Sequence, residues 1–245
     1  MIEKETRLPC CRQKSLAIIQ SNYIPWKGYF DVINRVDEFI LLDDVQYTRR
    51  DWRNRNLVKT PAGLKWLTIP VETKGHFEAK ISQIPIAEKH WYKKHWSLIE
   101  HNYSKAPFFK VYKSFFEDLY LSSYEAFLSE VNHRFIVAIS NWLGISTKIS
   151  WSSDFECVEG KNERLISLCK QAGATEYISG PAARGYIQES LFEESGIKVT
   201  WMNYTDYPEY NQLFPPFEHG VSIIDLIFNE GPNAKQFMKS FQTTL

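Results

Sequence analysis

Cysteine is scarce in the 245-residue chain. There are four, of which Cys10 and Cys11 are adjacent and Cys157 and Cys169 stand far off. With no Cys-x-x-Cys pair and no Cys/His zinc spacing, a disulfide scaffold and a zinc ribbon are excluded, and a reducing compartment is implied. Long apolar runs are missing too. The longest are short stretches such as Ile223–Ile224 and Leu226–Phe228, against the ~20 residues that span a bilayer. The opening stretch Met1–Lys14 is charged and has no apolar core of the kind a secretory signal needs. Charge of one sign is also lacking, since 29 basic and 29 acidic residues cancel. No global field draws the chain to nucleic acid or anionic lipid, and only a local patch can do so. The expectation is a cytoplasmic protein with no membrane span.

What is present fits a large globular unit. Hydrophobic residues make up 44% and charged residues 24%, which is ordinary for a folded domain and excludes disorder and fibrous folds. A chain of this size exposes roughly 11,000 Å² when folded, against about 42,000 Å² when unfolded, so a core needs no staple. Aromatics at 15%, with eight Trp and thirteen Tyr, supply flat surfaces for binding.

Leu16–Gln20 reads as a buried strand. After the loop Ser21–Pro25, Tyr29, Phe30, Ile33 and Val36 mark one helix face. Glu38–Leu42 is again a buried strand run, so the chain opens β-α-β, the usual start of a parallel α/β sheet. Leu64–Val71 and Lys80–Ile86 read as two more strands, with Pro70 and Pro85 placing their ends at an edge. Three amphipathic helices follow: His90–Tyr103, a block around Phe108–Leu119, and Tyr124–Trp142 closed by Gly144. The α/β rhythm then resumes. Strands are expected at Thr147–Trp151, Thr175–Ser179 and Ile197–Met202, and helices at Asn162–Ala172, Arg184–Glu194, Val221–Asn229 and from about Asn233. The expected fold is α/β, a parallel-type sheet with helices on both faces. It makes one domain over 15–245 with a helical insertion near 88–143, preceded by a tail over 1–14.

Ligands of open parallel sheets bind beyond the carboxyl ends of strands, beside helix N-termini. Gln20, Asn22, Tyr23, Trp26, Lys27 and Gly28 fall at such a place. The loop reads as a phosphate or carboxylate site, or as an ordinary tight turn with aromatic packing. The second strand ends at Asp43 and Asp44 and runs into Tyr47, Arg49, Arg50, Trp52, Arg53, Asn54, Arg55 and Asn56 on the same rim. Arg forks hold phosphate at two points and stack on rings. The bland alternative is a solvated charged loop.

His90, His95 and His101 are spaced by five and six, which fails the helical i, i+4 spacing of a zinc pair, so no metal site is expected. With Lys89, Lys93, Lys94 and Lys105 they make a basic helical face suited to phosphate or RNA, while His133 reads as structural. Ser179, Gly180 and Tyr186 flank another strand end. No G-x-S-x-G elbow, phosphate loop or GxGxxG is found. Residues 204–222 read as an ordered loop holding Gln212 and His219, either covering a pocket or packing on the surface. His219 with Asp225 gives a weak acid/base hint.

Three blocks carry a family resemblance: Gln20-x-Asn22-Tyr23-x-Pro25-Trp26-x-Gly28-Tyr29-Phe30, Asp43-Asp44-Val45-Gln46-Tyr47, and Trp52-Arg53-Asn54-Arg55-Asn56. Trp66–Pro70, Tyr177–Pro181 and Ser222–Leu226 complete it. Together they resemble the WbqC-like family from about Ser15 onward, except that Ser21 stands where the family commonly has Pro. The resemblance implies a setting in bacterial surface polysaccharide biosynthesis, including the O-antigen of lipopolysaccharide. The Trp26–Tyr29 turn is also similar in place to the His-x-Gly-His turn of a nucleotidyltransferase class, with both His replaced.

The expected activity is a transferase that moves an acyl or aminoacyl group to the amine of a nucleotide-linked amino sugar. Gln20, Asn22 and Lys27 would bind an anionic part of a substrate, with Arg50, Arg53 and Arg55 on the phosphates. Asp43 or Asp44 would take the amine proton, and His219 is a further candidate. The donor would be a coenzyme A thioester, a carrier protein or an aminoacylated tRNA. Two alternatives stand: nucleotidyl transfer or ligation with Mg-ATP, and a non-catalytic sugar-nucleotide-binding or assembly protein.

Overall fold

The computed structural model describes residues 13–75 and 78–242. Five strands form one parallel sheet: β1 (Ser15–Ile19), β2 (Glu38–Leu41), β5 (Lys148–Trp151), β6 (Glu176–Ser179) and β7 (Lys198–Trp201). Their order is β5-β2-β1-β6-β7. Helix α1 (Lys27–Asn34) joins β1 to β2, α5 (Lys161–Gln171) joins β5 to β6, and α6 (Glu189–Glu194) joins β6 to β7.

Alternation along the strands explains why both faces are covered. Leu16, Ile18, Ile40 and Tyr177 point into a core with Leu165, Leu168 and Phe192 of α5 and α6. Ala17, Phe39, Leu41 and Ile178 point the other way, into a larger core with Phe30 and Ile33 of α1. The side of helical cover changes between the β1–β2 and β6–β7 halves, so β1 and β6 flank the topological switch point, where such sheets open a crevice.

The long connection from β2 to β5 carries a two-stranded antiparallel hairpin, β3 (Arg55–Thr60) and β4 (Gly63–Thr68). It also carries three helices, α2 (Trp91–Tyr103), α3 (Phe109–Leu121) and α4 (Leu128–Trp142). All three pack into the larger core through Trp91, Trp96, Phe116, Phe135 and Ile139. α7 (Ile223–Glu230) lies in the same core, its Ser222 Oγ accepting from Ile224 N.

Several boundaries differ from the sequence expectation. Lys80–Ile86 forms no strand: Ile81–Gln83 is a 3-10 turn flanked by isolated bridges Gln46–Lys80 and Val71–Ile86. β3 falls where a polar rim loop is expected. Its inward positions are Asn56, Val58 and Thr60, so polar residues on the buried face hide the period of two. Helix 184–194 is split into a 3-10 turn at Pro181–Gly185 and the short α6, and the last segment, Gly231–Phe237, is 3-10 as well. α4 starts at Leu128, after Tyr124. Among the described residues no helix is long and apolar enough to cross a membrane. The tail over 1–14 lies largely outside the described residues.

Candidate functional site

Beyond the carboxyl ends of β1, β2 and β6 lies a cavity of about 740 Å³. Gln20, Asn22, Trp26, Arg53, Ser179, Gly180 and Tyr186 line it, together with Tyr29, Tyr177, Tyr204, Gly160, Lys161 and Arg164. A second cavity of about 370 Å³ adjoins it, lined by Asn22, Pro25, Trp26, Trp52, Asn56, Tyr204 and His219. Asn22, Trp26 and Tyr204 belong to both. One cleft results, with Arg53, Lys161 and Arg164 in its larger half and Trp26, Trp52, Tyr204 and an imidazole in its smaller half.

Arg53 is the pivot. Its Nη1 donates to the Gln20 and Ser21 carbonyls at 3.3 and 3.4 Å and to Asn22 Oδ1, and its Nη2 pairs with Asp51 at 3.5 Å. Its Nε is buried and has no partner, a donor left over for a ligand. The backbone beside it is strained. Ile24 has φ 35°, a conformation that β-branched residues avoid. Asn56 holds it there, its Nδ2 donating to the carbonyls of Tyr23 at 3.0 Å and Ile24 at 2.9 Å. Trp26 folds back over Gly28, where a Cβ would stand 2.2 Å from the indole. The glycine is what allows that ring to form the shared wall of the cleft.

His219 lies against Phe217, with ring centroids 4.6 Å apart, and its buried Nδ1 has no hydrogen-bond partner. Burial, helped by the nearby Lys27 charge, holds its pKa below the ordinary 6.5, so the ring is neutral at pH 7. Asp44 accepts from Ser152 Oγ at 2.6 Å and lies 3.9 Å from the Arg164 guanidinium. It orients a cation that faces the larger cavity.

Other expected site residues lie elsewhere. Asp43 is 1% exposed, and its oxygens accept from Ser21 N at 2.8 Å and from Ser129 Oγ. It ties the β1 loop to α4 rather than facing the cleft. Tyr23 is fully buried, its Oη 2.8 Å from His95 Nδ1 and 2.9 Å from Tyr120 Oη. Lys27 is 2% exposed and points away from the turn. It donates to the Pro208 carbonyl at 2.9 Å inside a cage of Tyr207, Tyr210 and Phe217, and burial lowers its pKa to about 8. It therefore fastens the 207–217 loop and does not reach the expected anion.

Asn54 is spent on the Ile69 carbonyl at 2.8 Å. Gln212 is spent on Lys59, Tyr210 and the Glu218 backbone. Tyr47 is buried, Arg50 is exposed and Arg55 is half-buried at the start of β3, and none of the three lines either cavity. Asp225 is fully buried and takes the hydroxyls of Tyr103 at 2.8 Å and Tyr210 at 2.7 Å. Those bonds make it a structural anchor, not a partner of His219.

The basic helical face exists in part. Lys65, Lys93, Lys94 and His101 line a separate open cavity between the hairpin turn and α2. His95 is excluded from it, being buried among aromatic rings. Sequence reasoning missed the rings of Tyr29, Tyr177 and Tyr204, and also the trio Gly160, Lys161 and Arg164. That trio starts α5 just after β5, so the strand-end rule applied to a third strand would have found it. Among the described residues no three His, Cys, Asp or Glu side chains gather as a metal site.

Residues 20–237 match the model of the WbqC-like protein family. The chain belongs to the WbqC-like protein family. It is also 50% identical over 226 residues to the uncharacterized protein Rv1507c of Mycobacterium tuberculosis, covering 92% of this chain and 98% of that one. No solved structure matches at a significant level. The matched region holds every residue of the cleft named above.

Proposed function

We propose that this WbqC-like protein is a transferase that passes an acyl or aminoacyl group to the amine of a nucleotide-linked amino sugar, in bacterial surface polysaccharide synthesis. The observation that supports it is the division of one cleft into a cationic half and an aromatic half sharing Asn22, Trp26 and Tyr204. Three cations, Arg53, Lys161 and Arg164, suit a diphosphate. The rings of the smaller half suit the face of a sugar, and His219 in the same cavity is the base such an amine needs.

In the proposed step the amine nitrogen attacks the acyl carbon of the donor. The carbon–sulfur or carbon–oxygen bond breaks, and the thiol or ribose hydroxyl leaves. Neutral His219 takes the amine proton and returns it to the leaving group, general base and then general acid. Asp43 and Asp44 act through what they hold: the β1 loop and Arg164.

The test is incubation with nucleotide-linked amino sugars and coenzyme A thioesters, acyl carrier protein, aminoacylated tRNA or Mg-ATP, with mass spectrometry of the sugar. An N-acylated or N-aminoacylated product that falls at least a hundredfold in His219→Ala supports the reading; general acid–base groups contribute about 10²–10⁴-fold. The rate should fall on acidification with a midpoint below 6.5, because protonation removes the base whose pKa is lowered. Adenylylated product formed only with Mg-ATP would replace acyl transfer by nucleotidyl transfer. Tight sugar-nucleotide binding without product from any donor would favour a binding protein.

A further inference from the structure

The larger half of the cleft has an end that the cations do not fill. Arg53 bonds Asn22 Oδ1 at the wall shared with the smaller half. Lys161 stands at the other end, its Nζ 5.9 Å from the centroid of the Tyr186 ring. The cations therefore run from the shared wall toward Tyr186, which also lines the larger cavity.

Tyr186 is pinned through its backbone. Its N–H donates to the Ala183 carbonyl at 3.1 Å, and its carbonyl accepts from Asn162 Nδ2 at 3.1 Å. Asn162 Oδ1 in turn accepts from Gln188 N at 3.0 Å. Asn162 belongs to the first turn of α5 and is 7% exposed, so a buried amide fixes Tyr186 relative to Lys161 and Arg164. The Tyr186 side chain is nevertheless 47% exposed. Beside it the turn Pro181–Gly185 offers the cavity only Ala182 and Ala183, and α5 adds the aliphatic Leu165. A held aromatic ring, short side chains that leave room and an aliphatic neighbour suit a flat ring, because a nucleobase stacks on an aromatic face whatever its identity.

We infer that Tyr186, with Ala182, Ala183 and Leu165, forms the nucleobase subsite of the cleft. The inference rests on the transferase reading above, which puts the sugar in the smaller half. Covalent order then selects the end. Base, ribose, diphosphate and sugar are joined in line. With the sugar beside His219 and the phosphates on Arg53, Arg164 and Lys161, the base falls on the far side of the cations, where Tyr186 stands. Trp26 and Tyr204 belong to the shared wall and Trp52 to the smaller cavity, so these rings lie on the sugar's side.

Wild-type protein, Tyr186→Ala, Tyr186→Phe, Ala182→Leu and Trp52→Ala are titrated by calorimetry with uridine, thymidine and guanosine diphosphates and with the corresponding nucleotide-linked amino sugars. The nucleoside diphosphate that binds the wild type best should lose at least about fivefold in affinity in Tyr186→Ala, the weak end of losing one stacked base. Its sugar-linked form should lose as much. Tyr186→Phe should keep most of the affinity, and Ala182→Leu, which narrows the slot at an exposed position, should repeat the loss. Trp52→Ala should weaken the sugar-linked form and leave the free diphosphate within about twofold of wild type. If Tyr186→Ala leaves the nucleoside diphosphate unchanged, or if Trp52→Ala weakens it instead, the base lies elsewhere and the subsite is refuted, while the transferase reading still stands on its product assay. The expected pattern of binding without product from any donor keeps the subsite and removes the transferase. If neither kind of ligand binds the wild type, both fall.

Discussion

Residues of one chemical type do opposite work within a few positions of each other in this protein. Asn54 and Asn56 are both buried in the hairpin, yet Asn54 only closes a sheet end while Asn56 holds the strained turn that presents Asn22 and Trp26. Asn56→Ala strands the two carbonyls of Tyr23 and Ile24. At about 1–3 kcal/mol for each unsatisfied buried group, it should cost about 2–6 kcal/mol in urea unfolding and lower ligand affinity as well. An affinity unchanged in a folded Asn56→Ala would show that the turn does not shape the site. This doubling of roles is why the site was only half legible from sequence. Gln20, Asn22, Trp26, Arg53 and His219 were readable because each stands at or beside a strand end or in the covering loop. Tyr23, Lys27, Asn54 and Gln212 carry the same kinds of polar group but spend them on backbone and neighbours, and a string of letters does not say which way a side chain points.

Between elements, the β1–α1 loop is tied to the inserted helices through one buried imidazole. His95 Nε2 faces the Thr68 carbonyl at 3.1 Å, so that nitrogen carries the proton and Nδ1 accepts from Tyr23. The ring is neutral, and burial holds its pKa down to about 4 against an ordinary 6.5. The unfolded chain binds a proton there between pH 4 and 6.5 and the folded chain does not. Stability contributed by His95 is therefore complete above pH 6.5 and lost as pH falls toward 4. The loss at pH 5 should be about 2 kcal/mol, from 1.36 kcal/mol per pKa unit. Urea midpoints at pH 7 and pH 5, compared with those of His95→Gln, check this; equal pH dependence in both proteins would remove His95 as the cause. The parallel strands were legible as short apolar runs, with helices expected after β1, β5 and β6. β3 was not, because its buried face carries Asn56 and Thr60. α5 was recognised as a helix, but its start was not recognised as part of the rim.

At the scale of the whole molecule, the order β5-β2-β1-β6-β7 places the switch point between β1 and β6. Trp52 and Arg53, from the stretch leading into the hairpin, and Asn56 of β3 wall one side of the crevice there. Arg53, from the stretch leading into the hairpin, meets Lys161 and Arg164, from α5, across a gap that neither half of the fold could make alone. The net charge is zero, so this concentration of cations is local, and binding of a nucleoside diphosphate depends on it. The most direct test is calorimetric titration of a nucleoside-diphosphate amino sugar into wild-type protein and into Arg164→Ala. The account predicts saturable binding at one site in the wild type. It also predicts at least a tenfold loss in Arg164→Ala, equivalent to about 1.4 kcal/mol, and a binding strength that falls with added salt. No binding to the wild type, or an affinity indifferent to Arg164, would contradict it.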